Sequence, residues 1–304
     1  MNPLRIGTRG SPLALWQARH AADLLCAVVL ERPIELVQIE TAGDQERDVP
    51  LVLLGGEGAF TKAIQQALLD RRVDVAVHSL KDLPTFPVEG LMLAAVPKRG
   101  PTGDAFVSTR HRTFVDLPAG AIVATSSLRR RAQLLHRRPD LKLIDIRGNV
   151  ETRLRKLDEQ GLDAIILAQA GLVRLGLAER ISEVLDTAWM YPAVGQGALG
   201  LECRRDDGAT LAILDRLNDT ATRWAVLAER AMLRGLGGGC QVPIGAVTNI
   251  TSGLLMLRGV VLSPNGSQRV ELEITGSMEQ AEDLGKALAN QLRARGAEEL
   301  LKES

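Results

Sequence analysis

Short apolar runs alternate with amphipathic stretches over the first two-thirds of the chain, and the alternation has the periods of strands and helices. Leu4–Thr8 reads as a buried strand. Ser11-Pro12 then opens a helix, with Ser as N-cap and Pro at the first helical position. Leu13, Trp16, Ala21, Leu24 and Leu25 carry that helix toward residue 30, and Cys26 is expected in its core face. Ile34–Ile39 reads as a second strand. Asp44–Gly58 is polar, then glycine-rich, and reads as a mobile loop. Phe60–Leu69 reads as a helix, and Val73–Val77 as a strand running into His78-Ser79. Strands and helices in strict alternation predict a parallel sheet with helices on its faces.

Val96-Pro97-Lys98-Arg99-Gly100-Pro101 is a hinge candidate, and the pattern restarts beyond it. Strands are expected at Ala105–Val107, Ile122–Thr125, Leu143–Asp145 and Ala164–Leu167, in a unit ending near Tyr191-Pro192. Gly197–Cys203 reads as a strand returning to the first sheet, with Cys203 buried. The grammar then changes. An amphipathic helix (Thr222–Leu233) and a glycine loop (Gly235–Cys240) lead into strands at Ile244–Asn249, Leu254–Leu262 and Gln268–Thr275. Pro264-Asn265-Gly266 marks the last hairpin, and a helix over Glu279–Arg295 stops at Gly296. The expected architecture is α/β: two type II periplasmic-binding-protein-like domains plus a small α+β domain with a three-stranded antiparallel sheet. The boundaries read as residues 1–97 with 196–216, 100–193, and 218–304.

Composition narrows the class. The 304 residues (32.8 kDa) are 45% apolar and 24% charged, ordinary for a globular protein. The longest apolar run, Leu24–Leu30, is far short of the ~20 residues of a bilayer span. The first residues show no basic segment followed by an apolar one, which fits a cytoplasmic protein. Three cysteines, Cys26, Cys203 and Cys240, are too few and too odd in number for a disulfide framework, and their spacing suits no zinc site. The net charge is zero, which argues against a surface that coats nucleic acid, and eight aromatics are too few for a base-stacking platform. The basic residues are lopsided, however: 30 Arg to 7 Lys. Arginine's planar fork suits carboxylate and phosphate.

Four stretches carry candidate chemistry. Between Thr125 and Lys156 ten basic residues face three acidic ones, a net of +7. Within it Thr125-Ser126-Ser127 sits where a strand gives way to a helix, a ready anion site, with Arg129, Arg130 and Arg147 to supply charged forks. Arg131, Arg137 and Arg138 read instead as a solvated face. In Val77-His78-Ser79-Leu80-Lys81-Asp82-Leu83-Pro84 an apolar strand runs into polar groups where open sheets hold ligands. Asp82 there reads either as an acid/base or as a turn cap. Cys240 follows three glycines, so its sulfur is accessible: a nucleophile, a redox sensor or an attachment point. Thr8-Arg9-Gly10-Ser11 repeats the arginine-and-hydroxyl theme at the first strand–helix junction. Together these predict a cleft between two α/β lobes, cationic on both walls, for an anionic ligand.

At these same residues the chain resembles the porphobilinogen deaminase (hydroxymethylbilane synthase) family. The matching stretches are Arg5 to Gln17, His78 to Pro84, Thr125 to Arg130, Arg147 to Val150 with Thr152-Arg153-Leu154, Pro192 to Gly197, and Gly238 to Gly245. The resemblance implies a cytosolic monomeric transferase of tetrapyrrole (haem) synthesis. Such an enzyme joins four porphobilinogen units head to tail with loss of ammonia, and water then releases hydroxymethylbilane. It implies a dipyrromethane cofactor bound by a thioether to Cys240, no metal, and Asp82 as the catalytic residue. Binding of cofactor and substrate then falls to Arg9, Ser11, Gln17, Ser79, Lys81, Thr125, Ser126, Ser127, Arg129, Arg130, Arg147, Arg153, Arg174 and Gln196. The 42–60 stretch resembles the family's mobile lid but departs from it at Ala42, Glu57 and Ala63, where many bacterial relatives carry arginine, a basic residue and glutamate. Three other classes stand beside this one: a two-lobed carboxylate-binding protein, a cysteine hydrolase using Cys240 with His78, and a nucleic-acid binder using residues 125–156.

Overall fold

The strand at the chain's start, β1 (Leu4–Thr8), is buried at four of its five positions, as a strand covered on both faces must be. A computed structural model describes residues 2–29, 32–41, 43, 58, 60–239 and 242–302. The loop expected over 44–58 lies outside them save for Gly58, as do Ala42, Glu57 and Cys240. The described chain divides into two units, residues up to Gly100 with Gly197–Arg223, and Pro101–Gln196 with the chain from Trp224.

In the first unit β1 pairs in parallel with β2 (Ile34–Gln38) and β3 (Val75–Ser79). The sheet order is β2-β1-β3-β10-β4, with β4 at Leu91–Ala95 and β10 at Leu199–Arg204. Helix α1 (Pro12–Cys26) covers one face, where Ala18, Ala21 and Leu25 meet Leu4, Ile6, Val75, Val77 and Leu201. Helix α2 (Lys62–Leu69) covers the other, where Ile64, Ala67 and Leu68 meet Ala76 and Leu91. The alternation Val75, Ala76, Val77 between the two clusters is the period-two pleat of a strand.

The second unit repeats this plan. Its sheet, β7-β6-β8-β5-β9, comprises β5 (Asp104–Val107), β6 (Ile122–Ala124), β7 (Lys142–Ile144), β8 (Ala164–Ala168) and β9 (Glu183–Val184). Helices α3 (Leu128–Arg137) and α4 (Val150–Glu159) follow β6 and β7, and α5 (Gln169–Arg174) follows β8. Both sheets therefore share one order: second strand, first, third, an inserted strand, fourth. Each sheet is mixed rather than parallel, a correction to the pattern-based expectation. β10 runs antiparallel to β3 and β4, and β5 antiparallel to β8 and β9. The inserted strands reach their partners from distant points in the sequence rather than through a helical crossover, so no βαβ connection dictates their direction. β4 and β9 escape the sequence pattern because one is a short run between Pro87 and Pro97 and the other has two residues.

After α6 (Gly208–Asp215) in the first unit, α7 (Thr220–Gly235) leads into the antiparallel sheet β11 (Ile244–Thr251), β12 (Leu254–Leu262) and β13 (Arg269–Ser277). This sheet belongs to the second unit. Residues of α7, α8 (Ala281–Ala294) and α9 (Ala297–Lys302) pack against Leu255, Leu257 and Val261. Val260 and Leu262, facing the other way, pack with Ala132 of α3 and Tyr191. Gly285 lets α8 approach α7: a Cβ there would stand 2.3 Å from the Ala228 carbonyl oxygen and 2.9 Å from the Met232 nitrogen. Gly285→Ala is expected to cost about 1–3 kcal/mol by forcing these helices apart. Gly208→Ala, with nothing within 4 Å of the new Cβ, should be neutral or slightly stabilising. Urea unfolding of both variants reads the difference, and equal midpoints would contradict the close approach.

Candidate active site

In the first unit the candidate residues gather at the ends of β1 and β3. Past β1, the Thr8 hydroxyl donates to the Ala14 carbonyl (3.1 Å) and Ser11 Oγ accepts from the Ala14 N–H (3.3 Å), capping α1. This local bonding leaves Arg9 on the loop, its guanidinium 4.1 Å over the Phe60 ring. At the end of β3, Ser79 Oγ accepts from Gln17 Nε2 of α1 (2.7 Å), so two residues chosen separately from sequence are in contact. The chain then makes one 3-10 turn, Leu80–Asp82, anchored by the Leu80 N–H to Ala198 O (3.0 Å) and by the buried Leu80 side chain. Lys81 and Asp82 are half-buried on that turn. Among the described residues the Asp82 carboxylate accepts no hydrogen bond, which does not fit the turn-cap reading. His78 is buried, with Nε2 3.0 Å from Glu202 Oε2, and Glu202 in turn accepts from Gln65 Nε2 of α2 (3.0 Å).

In the second unit the hydroxyl triplet does local work. Ser127 caps α3 by accepting from the Arg130 N–H (3.4 Å), and Thr125 Oγ1 accepts from the Ser127 N–H (3.3 Å). Ser126 Oγ donates to Ile146 O (2.6 Å) and accepts from Ile146 N (3.1 Å), tying the loop after β6 to the loop after β7. Gly148 holds φ at +113°, a backbone that suits glycine. Its carbonyl accepts from Arg153 Nε (2.8 Å), the Arg147 carbonyl accepts from Lys156 Nζ (3.1 Å), and Asn149 caps α4. Arg147 and Arg153, both half-buried, are thereby brought beside the serine loop. Arg174 ends α5 just past β8, and burial lowers its guanidinium to about 10.

Arg129 and Arg130 have a partner that the sequence pattern did not single out. Asp104, at the start of β5 and fully buried, accepts from Arg129 Nη1 (2.6 Å) and from Arg130 Nη2 (2.7 Å) and Nε (3.0 Å). Gln196 Nε2 joins the same carboxylate (3.0 Å). Burial is the largest influence on Asp104 and opposes its ionisation. The Arg129 and Arg130 charges and their hydrogen bonds outweigh it, so the carboxyl is held well below its ordinary range. Burial in turn lowers the Arg129 guanidinium. The signal for Asp104 was a lone acid opening an otherwise apolar strand, opposite an Arg-Arg pair of unknown place. Arg137 is exposed as expected, but the rest of that face is not simply solvated. Arg131 donates to Leu143 O (3.2 Å), and Arg138 pairs with Asp140 (2.7 Å) while bonding to the Leu117 and Pro118 carbonyls.

Cys203 is buried as the pattern implied, and burial pushes its thiol up to about 11. Cys26 is exposed, which corrects the expectation of a core position: it stands one residue past the buried Leu25, on the outer side of α1. A haloacetamide at pH 8 is expected to label Cys26 and leave Cys203 untouched in the folded protein. At that pH a thiol near 11 is only about one part in a thousand thiolate. Peptide masses after digestion read the outcome, and comparable labelling of both would contradict the burial of Cys203.

Two family models match. One, described as "Porphobilinogen deaminase, dipyromethane cofactor binding domain", covers residues 4–212, and the porphobilinogen deaminase C-terminal domain covers residues 224–294. The porphobilinogen deaminase of Trichlorobacter lovleyi is 51% identical over 300 residues, 99% of this chain and 96% of that one. That of Syntrophotalea carbinolica is 49% identical over 298 residues, 98% of this chain and 95% of that one. Among solved structures the methionine-binding protein MetQ is similar at 14% identity, covering 75% of this chain and 91% of that chain, with a TM-score of 0.46. The described chain holds two mixed five-stranded α/β sheets and a separate antiparallel sheet, and arginine recurs among the candidate residues of both units. The chain belongs to the porphobilinogen deaminase family. The residues suit the group for which the larger matched domain is named. Dipyrromethane is a polycarboxylate, and this chain offers arginines at strand ends, including a buried Arg129 Nε with no partner among the described residues.

Proposed function

We infer that the chain is a transferase of tetrapyrrole synthesis that joins four porphobilinogen molecules head to tail with loss of ammonia, and that water then releases hydroxymethylbilane. One observation carries this reading: the family match spans nearly the whole chain at about half identity, with each motif residue present. The domain reading stays with three parts, 1–97 with 196–216, 100–193 and 218–304, supported by one sheet in each. A cytoplasmic monomer that binds neither nucleic acid nor membrane is the setting we favour. Zero net charge is unlike a surface that coats nucleic acid, and among the described residues no helix is long and apolar enough to cross a membrane.

When bound, dipyrromethane supplies a pyrrole α-carbon from which the chain of rings grows. Cys240, outside the described residues, is the attachment residue of this proposal, as a thioether that resists hydrolysis. Its support is the Gly238-Gly239-Cys240-Gln241-Val242-Pro243 motif. Loss of ammonia from porphobilinogen leaves a cationic methylene-pyrrolenine. The Asp82 carboxylate, free of other hydrogen bonds among the described residues, can accept a pyrrole N–H, stabilise that charge and move the proton that coupling releases. Arg9, Arg147, Arg153 and Arg174, with Lys81, hold the acetate and propionate carboxylates, and Arg129 offers its Nε–H, with Arg130 fixed beside it on Asp104 and Ile166. The hydroxyls of Ser11, Thr125, Ser126 and Ser127 and the amides of Gln17 and Gln196 set the polar lining, with Ser79 held by Gln17.

Intact mass gives the first test. The purified protein should carry the excess of two linked pyrroles, and Cys240→Ala should lose both that excess and turnover. A fully active Cys240→Ala protein overturns the attachment. Asp82→Asn keeps the shape but not the charge, and in primer-bearing protein it should slow turnover by about 10²–10⁴-fold with little change in melting temperature. A near-normal rate would remove Asp82 from the chemistry. Arg147→Leu should raise KM by about one to two powers of ten, the loss of a charged hydrogen bond worth about 1.5–3 kcal/mol. Arg137→Leu on the exposed face should not.

A further inference from the structure

Five hydrogen bonds converge on the two oxygens of Asp104. Oδ2 accepts from Arg129 Nη1 (2.6 Å). Oδ1 accepts from Arg129 Nη2 (3.3 Å), Arg130 Nε (3.0 Å), Arg130 Nη2 (2.7 Å) and Gln196 Nε2 (3.0 Å). Four of the five fall on Oδ1, and the whole side chain is sealed from water, so this carboxylate is out of reach of a ligand. Its donors are in turn held from behind. Arg130 Nη1 donates to Ile166 O (2.9 Å), and Arg129 Nη1 also reaches the Tyr191 carbonyl. Gln133 brackets the Tyr191 backbone through both its amide atoms, and Gln196 Nε2 donates to Thr102 O (2.6 Å) as well. Three residues that the sequence proposes separately as ligand contacts are thus one assembly built on a single buried acid.

The charge count matters as much as the geometry. Arg129 and Arg130 are adjacent in sequence and both nearly sealed from water. Two such cations repel each other strongly in a medium of low dielectric. Asp104 cancels one of the two charges and leaves a surplus of one, with Arg129 Nε still lacking a partner among the described residues.

We propose that Asp104 is a positioning residue. By holding Arg129, Arg130 and Gln196 on one carboxylate, it fixes the guanidiniums as a preorganised, singly positive set of donors for one carboxylate of the substrate or of the growing chain. The naming of that ligand rests on the porphobilinogen reading. The orientation of the arginines does not. Asp104→Asn keeps the place and removes the charge; Asp104→Glu keeps the charge and moves the place by one methylene. Both should raise KM for porphobilinogen at least tenfold in primer-bearing protein while kcat changes little, a split that mere loss of stability does not produce.

A second readout needs no activity. The Arg130 Nε–H, donated to Asp104, should be protected from solvent exchange in the wild-type protein by nitrogen-edited NMR, and should lose that protection in both variants. Should Asp104→Asn fail to fold, Asp104→Glu is read in the same two ways. Wild-type KM in a folded variant, or retained Arg130 Nε–H protection, overturns the proposal. A wild-type chain that neither carries the two-pyrrole excess nor consumes porphobilinogen overturns the functional reading instead, and the exchange measurement still decides the positioning role.

Discussion

A fully buried carboxylate is the constraint around which the second unit is built. Asp104 has no exposed surface, and an unpaired charge there would cost several kcal/mol. Its partners must therefore come to it: two arginines from the first turn of α3 and a glutamine from the loop after Met190. That requirement fixes the rotation of α3 about its axis. It also fixes the course of the chain through Tyr191, whose carbonyl meets Arg129 and whose backbone is bracketed by Gln133.

Tyr191 carries the constraint further. Its ring is buried with Ala132, Val260 and Leu262, so the antiparallel sheet docks where the arginine helix already stands. Arg258 and Arg269 lie over the ring at 5.2 and 5.4 Å, and the hydroxyl donates to Glu271. Burial raises the phenol above its ordinary range, and the Glu271 charge adds to that, so the hydroxyl stays a donor at any physiological pH. Glu229 of α7, fully buried, accepts from the Gly195 N–H (2.8 Å) and the Thr248 hydroxyl (2.7 Å), and holds the residue before Gln196 from the other side. The antiparallel sheet and the helix that carries Arg129 are therefore fastened to the same short segment, 191–196.

Much of this was legible in the sequence, for identifiable reasons. Strand and helix positions followed from apolar period, and Ser11, Ser127 and Asn149 act as N-caps because serine and asparagine at a strand–helix junction have little else to do. The strand direction was not legible, since β5 and β10 enter their sheets across long sequence separations that local pattern does not encode. The arginine cluster was visible as charge, but its division was not. Whether an arginine faces a ligand, an internal acid or a carbonyl depends on what stands opposite it. For Arg129 and Arg130 that residue is Asp104, and for Arg131 it is the Leu143 carbonyl. Cys26 was misjudged for the same reason: helical period assigns a face only to within one residue, and Leu25 rather than Cys26 turns inward.

Asp104 and Asp82 stand in opposite environments. Asp104 is fully buried, accepts five hydrogen bonds and has its charge balanced by neighbours, so it holds its partners in place, takes up a proton only with difficulty and is out of reach of a ligand. Asp82 sits half-buried on a turn that other groups hold in place: the Leu80 N–H on Ala198, the buried Leu80 side chain, and Ser79 tied to Gln17. Among the described residues that carboxylate accepts no hydrogen bond, and the turn stands without it. A fold that spent Asp82 on its own backbone would gain about 1 kcal/mol of turn stability. The first unit leaves that stabilisation unmade at one turn, whereas the second commits a whole carboxylate to holding its arginines.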